Sequence, residues 1–521
     1  MPDLPGLSRK LRNLGVVLFP LLLVPGYVVL KEATGPYFYS RNSDPDYVYL
    51  FNSLHLALGE RPVHIDHPGT PLHLLGAAAI KITNLSRTST ETAVNTIVHG
   101  ESYLDGINLC LAGMLLLLLV VGGALIYRAT EKAWTAILFH GAILLLGGNV
   151  YCLARVNPEP LLVLISVLLG LLIWLSFVQG GDFRSPAFIA TAALLCATGI
   201  TTKITFAPLA VLPLLLIPSW RRKGIYVGLS GLFVALWLLP IWKSMGRFGH
   251  WLSALATRTG RYGTGEPGVL DVGSYMANIV YLASENLPFI CLLAGSLAVA
   301  IYFRYVRAPD ASEPCQRTAA GVLLTVAALQ GVQMAMVCKY RESRYLVPAM
   351  GLAGVNLLLL ARLLPGRRVF GFACAGLLGL GLWGASTRVR ALAAEGAENG
   401  RIFQAAQSLP TNSVRIFCYG ASSPYYAAYF GNSFTDGFYG TLLTKLISDS
   451  DRIVFYNNFQ RSYRTFLHPV SLESILNSSG SVFYQTPPFV KGDLIYDWPA
   501  GVKLREYLGG NYERIYQVVP Q

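Results

Sequence analysis

The chain of 521 residues is 53% hydrophobic and only 13% charged, with a mean hydropathy of +0.47; soluble domains carry roughly 25% charged residues, so an ordinary water-soluble enzyme is excluded. A formal charge of +13 would point to nucleic acid in a soluble protein, but here Lys and Arg gather in short segments between apolar runs, as cytoplasmic loops do. The eight cysteines form no disulfide framework, because Cys110, Cys152, Cys196, Cys291, Cys338 and Cys374 lie in or at the ends of hydrophobic segments, and no CxxC or Cys/His spacing suggests zinc.

Apolar runs such as Leu109–Ile126, Leu161–Val178 and Gly321–Val337 approach the roughly 20 residues that cross a bilayer core of about 30 Å. Arg9, Lys10 and Arg12 precede the first run, 14–30, and no small-x-small cleavage site follows it; a retained first helix is expected. With the N-terminus inside, this helix exits into a long outer segment, 31–104. Further spans are expected at 105–126, 134–150, 160–178, 186–200, 205–219, 224–242, 286–303, 318–338, 346–364 and 369–386, about eleven transmembrane helices in all. Every inside loop of this arrangement carries Lys or Arg, for example Arg221, Arg222 and Lys223 or Arg367 and Arg368. Placing Leu72–Ile82 across the membrane would reverse every later loop. It is therefore expected along the outer interface.

Beyond residue 386 the composition changes. Val414–Tyr419, Arg452–Tyr456, Val482–Tyr484 and Arg514–Val519 alternate or are β-branched, Ala391–Leu409 is helix-like, and 12 Lys and Arg face 10 Asp and Glu over 387–521. This reads as a small extracytoplasmic α/β domain. The division expected is a transmembrane catalytic domain, 1–386, and a tail domain, 387–521.

Polar chemistry concentrates in the first outer loop, which holds five of the eight histidines. Asp44 can cap a helix whose first position is Pro45; Tyr47, Leu50, Phe51, Leu54 and Leu58 fall on one apolar face, and Gly59 ends it. Asp44 and Asp46 thus open an amphipathic interfacial helix, and Asp66-His67-Pro68 opens a second. A carboxylate there can act as general base. Asp66 and His67 could bind a phosphate or a divalent metal ion of open identity, with His64 beside them as a loop contact; His55 and His73, among apolar neighbours, are expected to pack.

These two Asp-bearing helix starts, followed by many spans and an outer C-terminal domain, resemble the GT-C superfamily, and within it the branch of protein O-mannosyltransferases and the lipid A aminoarabinose transferase. The resemblance implies a glycosyltransferase that takes a sugar from a polyprenyl-phosphate donor, with inversion, and passes it to a lipid, glycan or protein acceptor at the outer face of a bacterial inner membrane. It implies Asp44 as base with Asp46 second. Asp66-His67-Pro68-Gly69-Thr70-Pro71-Leu72 loosely matches the Glu-Lys-Pro-Pro-Leu pattern of the aminoarabinose branch, making Asp66 a metal or acceptor ligand and His67 a phosphate contact. Here Asp-Pro-Asp-Tyr replaces the usual Asp-Glu pair and His67 stands where a lysine is usual.

Other outer turns fit the same picture. Arg155-Val156-Asn157-Pro158-Glu159-Pro160 opens the fourth span and offers Glu159 as an acceptor or metal ligand, Lys203 interrupts an apolar stretch, and Lys339, Arg341, Arg344 and Tyr345 precede the tenth. Lys203, Lys339, Arg341 and Arg344 oppose the positive-inside trend, and a lipid phosphate would explain them. Arg258 and Arg261 lie in a Gly-rich segment suited to a substrate-gating loop. The partners expected are the donor, membrane lipids and the acceptor, with no nucleic acid and a monomeric state. The rival functions are a flippase of lipid-linked sugars and a polymerase or ligase using diphosphate-linked glycans; midplane ligand groups would mark a transporter, whereas these charges sit at outer helix ends.

Overall fold

The computed structural model describes residues 15–16, 18–39, 46–66, 69–181, 183–260, 263–307, 314–364, 367–457, 460–477, 480–490 and 502–519. The expected base Asp44, the phosphate contact His67 and the loop residue Arg261 lie outside the described residues.

The chain is mostly helical, with a small sheet near its C-terminal end. Among the described residues, seven helices are long and apolar enough to cross a membrane: Gly100–Thr130, Ala133–Ala154, Pro158–Val178, Trp220–Thr257, Leu287–Val306, Cys315–Val337 and Arg368–Gln407. An eighth is made by Ser343–Gly351 and Ala353–Leu363 if this pair, bent by 47°, is one span. Helix occupies the remaining expected positions in shorter pieces: Leu23–Thr34 after a 3-10 turn, Pro186–Thr202, and Ile204–Leu216. Prolines and one lysine account for the shortening. Pro20 falls in the 3-10 turn before the first helix, while Lys203, Pro208 and Pro213 divide the pair at 186–216, since an interior proline removes a backbone donor and crowds the preceding turn.

Trp220–Thr257 overruns its expected end at 242. A 3-10 stretch, Leu239–Ser244, joins the apolar helix Trp220–Leu238 to the amphipathic Met245–Thr257. The Gly-rich segment that follows closes on itself through an antiparallel bridge between Arg258 and Pro267, and the chain re-enters helix at Val272–Glu285.

In the first loop, the helix Asp46–Ala57 matches the expected position but not the expected amphipathicity. Asp46 to His55 and Ala57 are all buried, because the membrane bundle covers one side and the tail domain the other. The second helix, Thr70–Thr83, packs beside it, after Gly69 in the left-handed conformation (φ +64°) and with Pro71 in its first turn. A third, Ser89–Val98, starts with a capping box between Thr88 and Glu91.

The seven-stranded sheet comprises β1 (Val414–Phe417), β2 (Ile453–Asn457), β3 (Ser462–Arg464), β4 (Pro469–Val470), β5 (Val482–Thr486), β6 (Lys503–Leu508) and β7 (Arg514–Val519) in the order β4-β3-β2-β1-β5-β7-β6. β1 lies parallel to β2 and β5, with Ile416 opposite Val454 and Tyr484; the flanking pairs are antiparallel. The helix Arg367–Gln407 runs unbroken through residue 386 and packs Ile402 and Ala406 against Phe483 and Ile515 of the sheet. On the other side, Tyr429 of the helix Pro424–Ser433 stacks on Phe455 with ring centroids 4.0 Å apart.

That helix also seats the tail domain on Asp46–Ala57. A Cβ at Gly431 would stand 2.8 Å from the Tyr47 carbonyl oxygen and 2.8 Å from the Phe51 ring, closer than packed atoms approach. Gly431→Ala should therefore cost about 1–3 kcal/mol and lower the melting temperature in detergent by scanning fluorimetry, whereas Gly376→Ala, into open space, should not.

Candidate active site

The site is built around the turn between the helices Ala133–Ala154 and Pro158–Val178. Pro158 forces the preceding residue out of the helical region, and Asn157 is accordingly extended (φ −139°, ψ 177°), as is Arg155. Extended backbone turns the side chains of Arg155 and Glu159 to different partners. Asp46, at the start of its helix and fully buried, accepts from Arg155 Nη2 at 2.5 Å and from the Val156 backbone N–H at 2.5 Å. Arg155 Nη2 also donates to the Tyr37 carbonyl. The turn is held from the bundle by Asn108, whose Nδ2 donates to the carbonyls of Leu153 and Arg155 while its Oδ1 accepts from Tyr27. Glu101 completes the bracket, accepting from the Tyr37 backbone N–H and the Tyr47 hydroxyl.

Two residues beyond Asn157, Glu159 Oε1 meets Lys203 Nζ at 2.7 Å, and both side chains are buried. Lys203 sits in the break between Pro186–Thr202 and Ile204–Leu216, itself extended (φ −160°). Its ammonium lies 4.3 Å from the centroid of the Tyr345 ring, an attractive placement for a cation. Burying two charges costs several kcal/mol of hydration per ion, so such a pair persists when the geometry and further contacts offset that cost.

Lys203 and Tyr345 line a groove of about 450 Å³, with Lys339 and Glu342 also in its wall. The remainder is apolar: Trp251, Leu252, Leu255 and Ala256 from the amphipathic helix, and Met336 and Val337 from the end of Cys315–Val337. Lys339 Nζ donates to the Leu255 carbonyl at 2.5 Å. Arg341 is stacked on Tyr281, 4.0 Å from its ring centroid, and Arg344, buried, lies 3.7 Å from Glu342 Oε2. Lys203, Lys339, Glu342 and Tyr345 thus line one groove, and Glu159 meets it through Lys203. Asp46 is tied to Arg155, in the turn that also carries Glu159. Arg258 donates instead to the Gly265 carbonyl within its own exposed hairpin.

His64 lies elsewhere, in a buried aromatic cluster where its ring faces Tyr49, His73 and Phe434. Asn52 fixes its backbone, accepting from the N–H groups of Val63 and His64 and donating to the Val48 and Phe434 carbonyls. Asp66 is half-buried. Among the described residues, no group of three or more His, Cys, Asp and Glu side chains converges as a metal ion would need. His55 and His73 are buried and packed on aromatic rings.

Several residues that order the site escaped sequence analysis. Asn149 donates to Asn286 and Ser343, and Ser343 donates to Asn286, which pins the start of the bent helix carrying Arg344 and Tyr345. Gln333 donates to the Tyr345 carbonyl. The available signal was the presence of amides inside apolar runs, since polar groups at membrane depth are costly and retained for a purpose.

Two measurements follow from this geometry. Asp46→Asn removes the counter-charge of a buried arginine and should cost about 3–5 kcal/mol of stability, read as a fall in melting temperature in detergent. Burial, with His64 adding to it, holds the His73 imidazole well below its ordinary range, so the unfolded chain takes up a proton that the folded chain does not. Stability should then be full above about pH 6.5 and fall below it by up to about 1.4 kcal/mol per pH unit for that proton; His73→Gln should flatten the melting-temperature profile between pH 7.5 and 5.5.

No family model matches the chain, and no curated protein matches it. Among solved structures the chain is similar to the crystal structure of ArnT from Cupriavidus metallidurans bound to undecaprenyl phosphate, at 11% identity and a TM-score of 0.49, over 96% of this chain and 99% of that one.

Proposed function

We propose that the chain is an integral membrane glycosyltransferase that moves a sugar, with inversion, from a polyprenyl-phosphate donor to an acceptor at the membrane face bearing the tail domain. The observation that carries this reading is the groove: a buried lysine, ion-paired to Glu159 and beside Tyr345, lines a largely apolar cleft that Lys339 also walls. An apolar channel ending in fixed cations is complementary to a long hydrocarbon joined to a phosphate.

In this reading the acceptor oxygen or nitrogen attacks the anomeric carbon from the face opposite the phosphate. The bond from that carbon to the phosphate oxygen breaks, and the acceptor proton passes to the Asp44 carboxylate. Charge grows on the departing lipid phosphate, and Lys203, Lys339, Arg341 and Arg344 lower the barrier because they are already oriented when it appears. Asp46 is assigned a positioning role, since both of its oxygens are engaged by Arg155 and Val156. His67 and Asp66 are assigned to the donor and acceptor side of the first loop, and a divalent ion at that pair would supply further charge there. Tyr345 orients Lys203, and His64 supports the loop. Arg258 and Arg261 are assigned to a substrate-gating loop.

Purified protein in detergent, given a panel of polyprenyl-phosphate sugars and total membrane extract, should release polyprenyl phosphate from one donor. Asp44→Asn should abolish transfer in a folded protein, and Lys203→Arg, which keeps a cation opposite Glu159, should lower kcat by about 10² or more, the scale of losing one oriented donor. If the wild type binds donor yet releases no lipid phosphate, a carrier of lipid-linked sugars replaces this reading.

A further inference from the structure

A second and larger groove, of about 750 Å³, runs along the opposite side of the same turn. Its walls are the helices Leu23–Thr34, Gly100–Thr130, the 3-10 stretch Ala142–Ala154 and Arg367–Gln407, and its upper end is reached by Leu153 and Pro160, which flank the Arg155–Glu159 turn. Gly26, Gly113 and Ala385 leave its floor shallow of side chains, and a Cβ at Gly26 or Gly113 would meet nothing within 4 Å. The rim is apolar and exposed, with Leu22 at 71% and Leu109 at 64%. At the end nearest the tail domain the lining changes to Arg390, with Tyr27 and Ser386 beside it; two positions earlier, Arg388 lies over the Tyr151 ring at 4.9 Å. A long apolar trough closed at one end by guanidinium charge complements an amphiphile with an anionic head, and a neutral lipid would leave that charge unanswered.

We propose that this groove is a second lipid site, holding the hydrocarbon chain of an anionic membrane lipid with Arg390 against its headgroup. It stands apart from the sugar-transfer reading, because it rests on none of the residues assigned to the donor. A basic residue near a membrane surface favours an anionic lipid by an amount corresponding to about fivefold in occupancy. Substitution of Gly113 by phenylalanine would fill the trough from an exposed position with open space around it.

The test uses the full-length protein in mixed nanodiscs containing trace phosphatidylglycerol or phosphatidylcholine with a photoactivatable diazirine in the acyl chain, followed by peptide mapping. Crosslinks from phosphatidylglycerol should concentrate on 109–116 and 382–389, exceed those from phosphatidylcholine there about fivefold, and fall severalfold in Gly113→Phe. Crosslinks to the lipid-exposed face of 225–236, which carries Ile225, Val227, Leu232 and Leu236, should be unchanged and serve as the measure of ordinary boundary lipid. In Arg390→Gln the groove crosslinks should persist and the two lipids should become equal. Equal crosslinking of both lipids in the wild type overturns the choice of headgroup. Groove crosslinks no denser than those on 225–236, or unmoved by both Gly113→Phe and Gly26→Phe, overturn the site itself. Should Gly113→Phe fail to fold, Gly26→Phe and Arg390→Gln decide the same question.

Discussion

Two buried ion pairs hang from the five-residue turn Arg155–Glu159, and the arrangement of everything around it depends on them. Asp46 brings the first loop to the turn through Arg155, and Lys203 brings the break in the following helices to it through Glu159. Each pair carries a heavy desolvation cost, so neither is an efficient way of adding stability. What they fix is register: three segments distant in sequence meet in one arrangement, because any other would leave a charge buried and unpaired. Proline at 158 and 160 stiffens the turn, so the charges are presented from a rigid backbone.

The same economy governs the cleft. Gln330 donates to the Ala349 carbonyl beside the 47° bend while its own Oε1 accepts from Asn356, so a backbone group near the bend keeps a partner in a setting without water. The bend in turn brings Arg344 and Tyr345 to Lys203. Irregular helices are therefore where polar groups enter the membrane end of the molecule, and the regular ones supply apolar walls.

Much of this was legible in the amino-acid sequence. Hydropathy located helix at every expected span, and alternation found β1, β2, β5 and β7, with β7 matched at both ends, because these strands have strong apolar or β-branched patterns. The edge strands β4 and β6, and β3 beside β4, were missed: Ser462–Arg464 and Pro469–Val470 are too short to show a period, and Lys503–Leu508 is polar on its exposed face. The apolar face read in Asp46–Ala57 was real, but its other face is covered by the tail domain, and no local pattern records a contact between residue 51 and residue 439. At the site, Glu159, Lys203 and Tyr345 stood out because charge in an apolar stretch is conspicuous. That Glu159 answers Lys203 while Asp46 answers Arg155 could not be read, since pairing is a property of the tertiary fold.

The helix Arg367–Gln407 gives the molecule a mechanical character. At 1.5 Å per residue its 41 residues extend roughly 60 Å, about twice the thickness of a bilayer core, and both of its ends are tied down, one in the bundle and one under the sheet. Such a rod acts as a lever. A tilt of ten degrees at the membrane would swing its far end by about 5 Å over a free length of half the rod, carrying the sheet and the helix Pro424–Ser433 across the first loop. Bilayer thickness and lateral pressure, which set the tilt of a long span, would thereby reach the sheet.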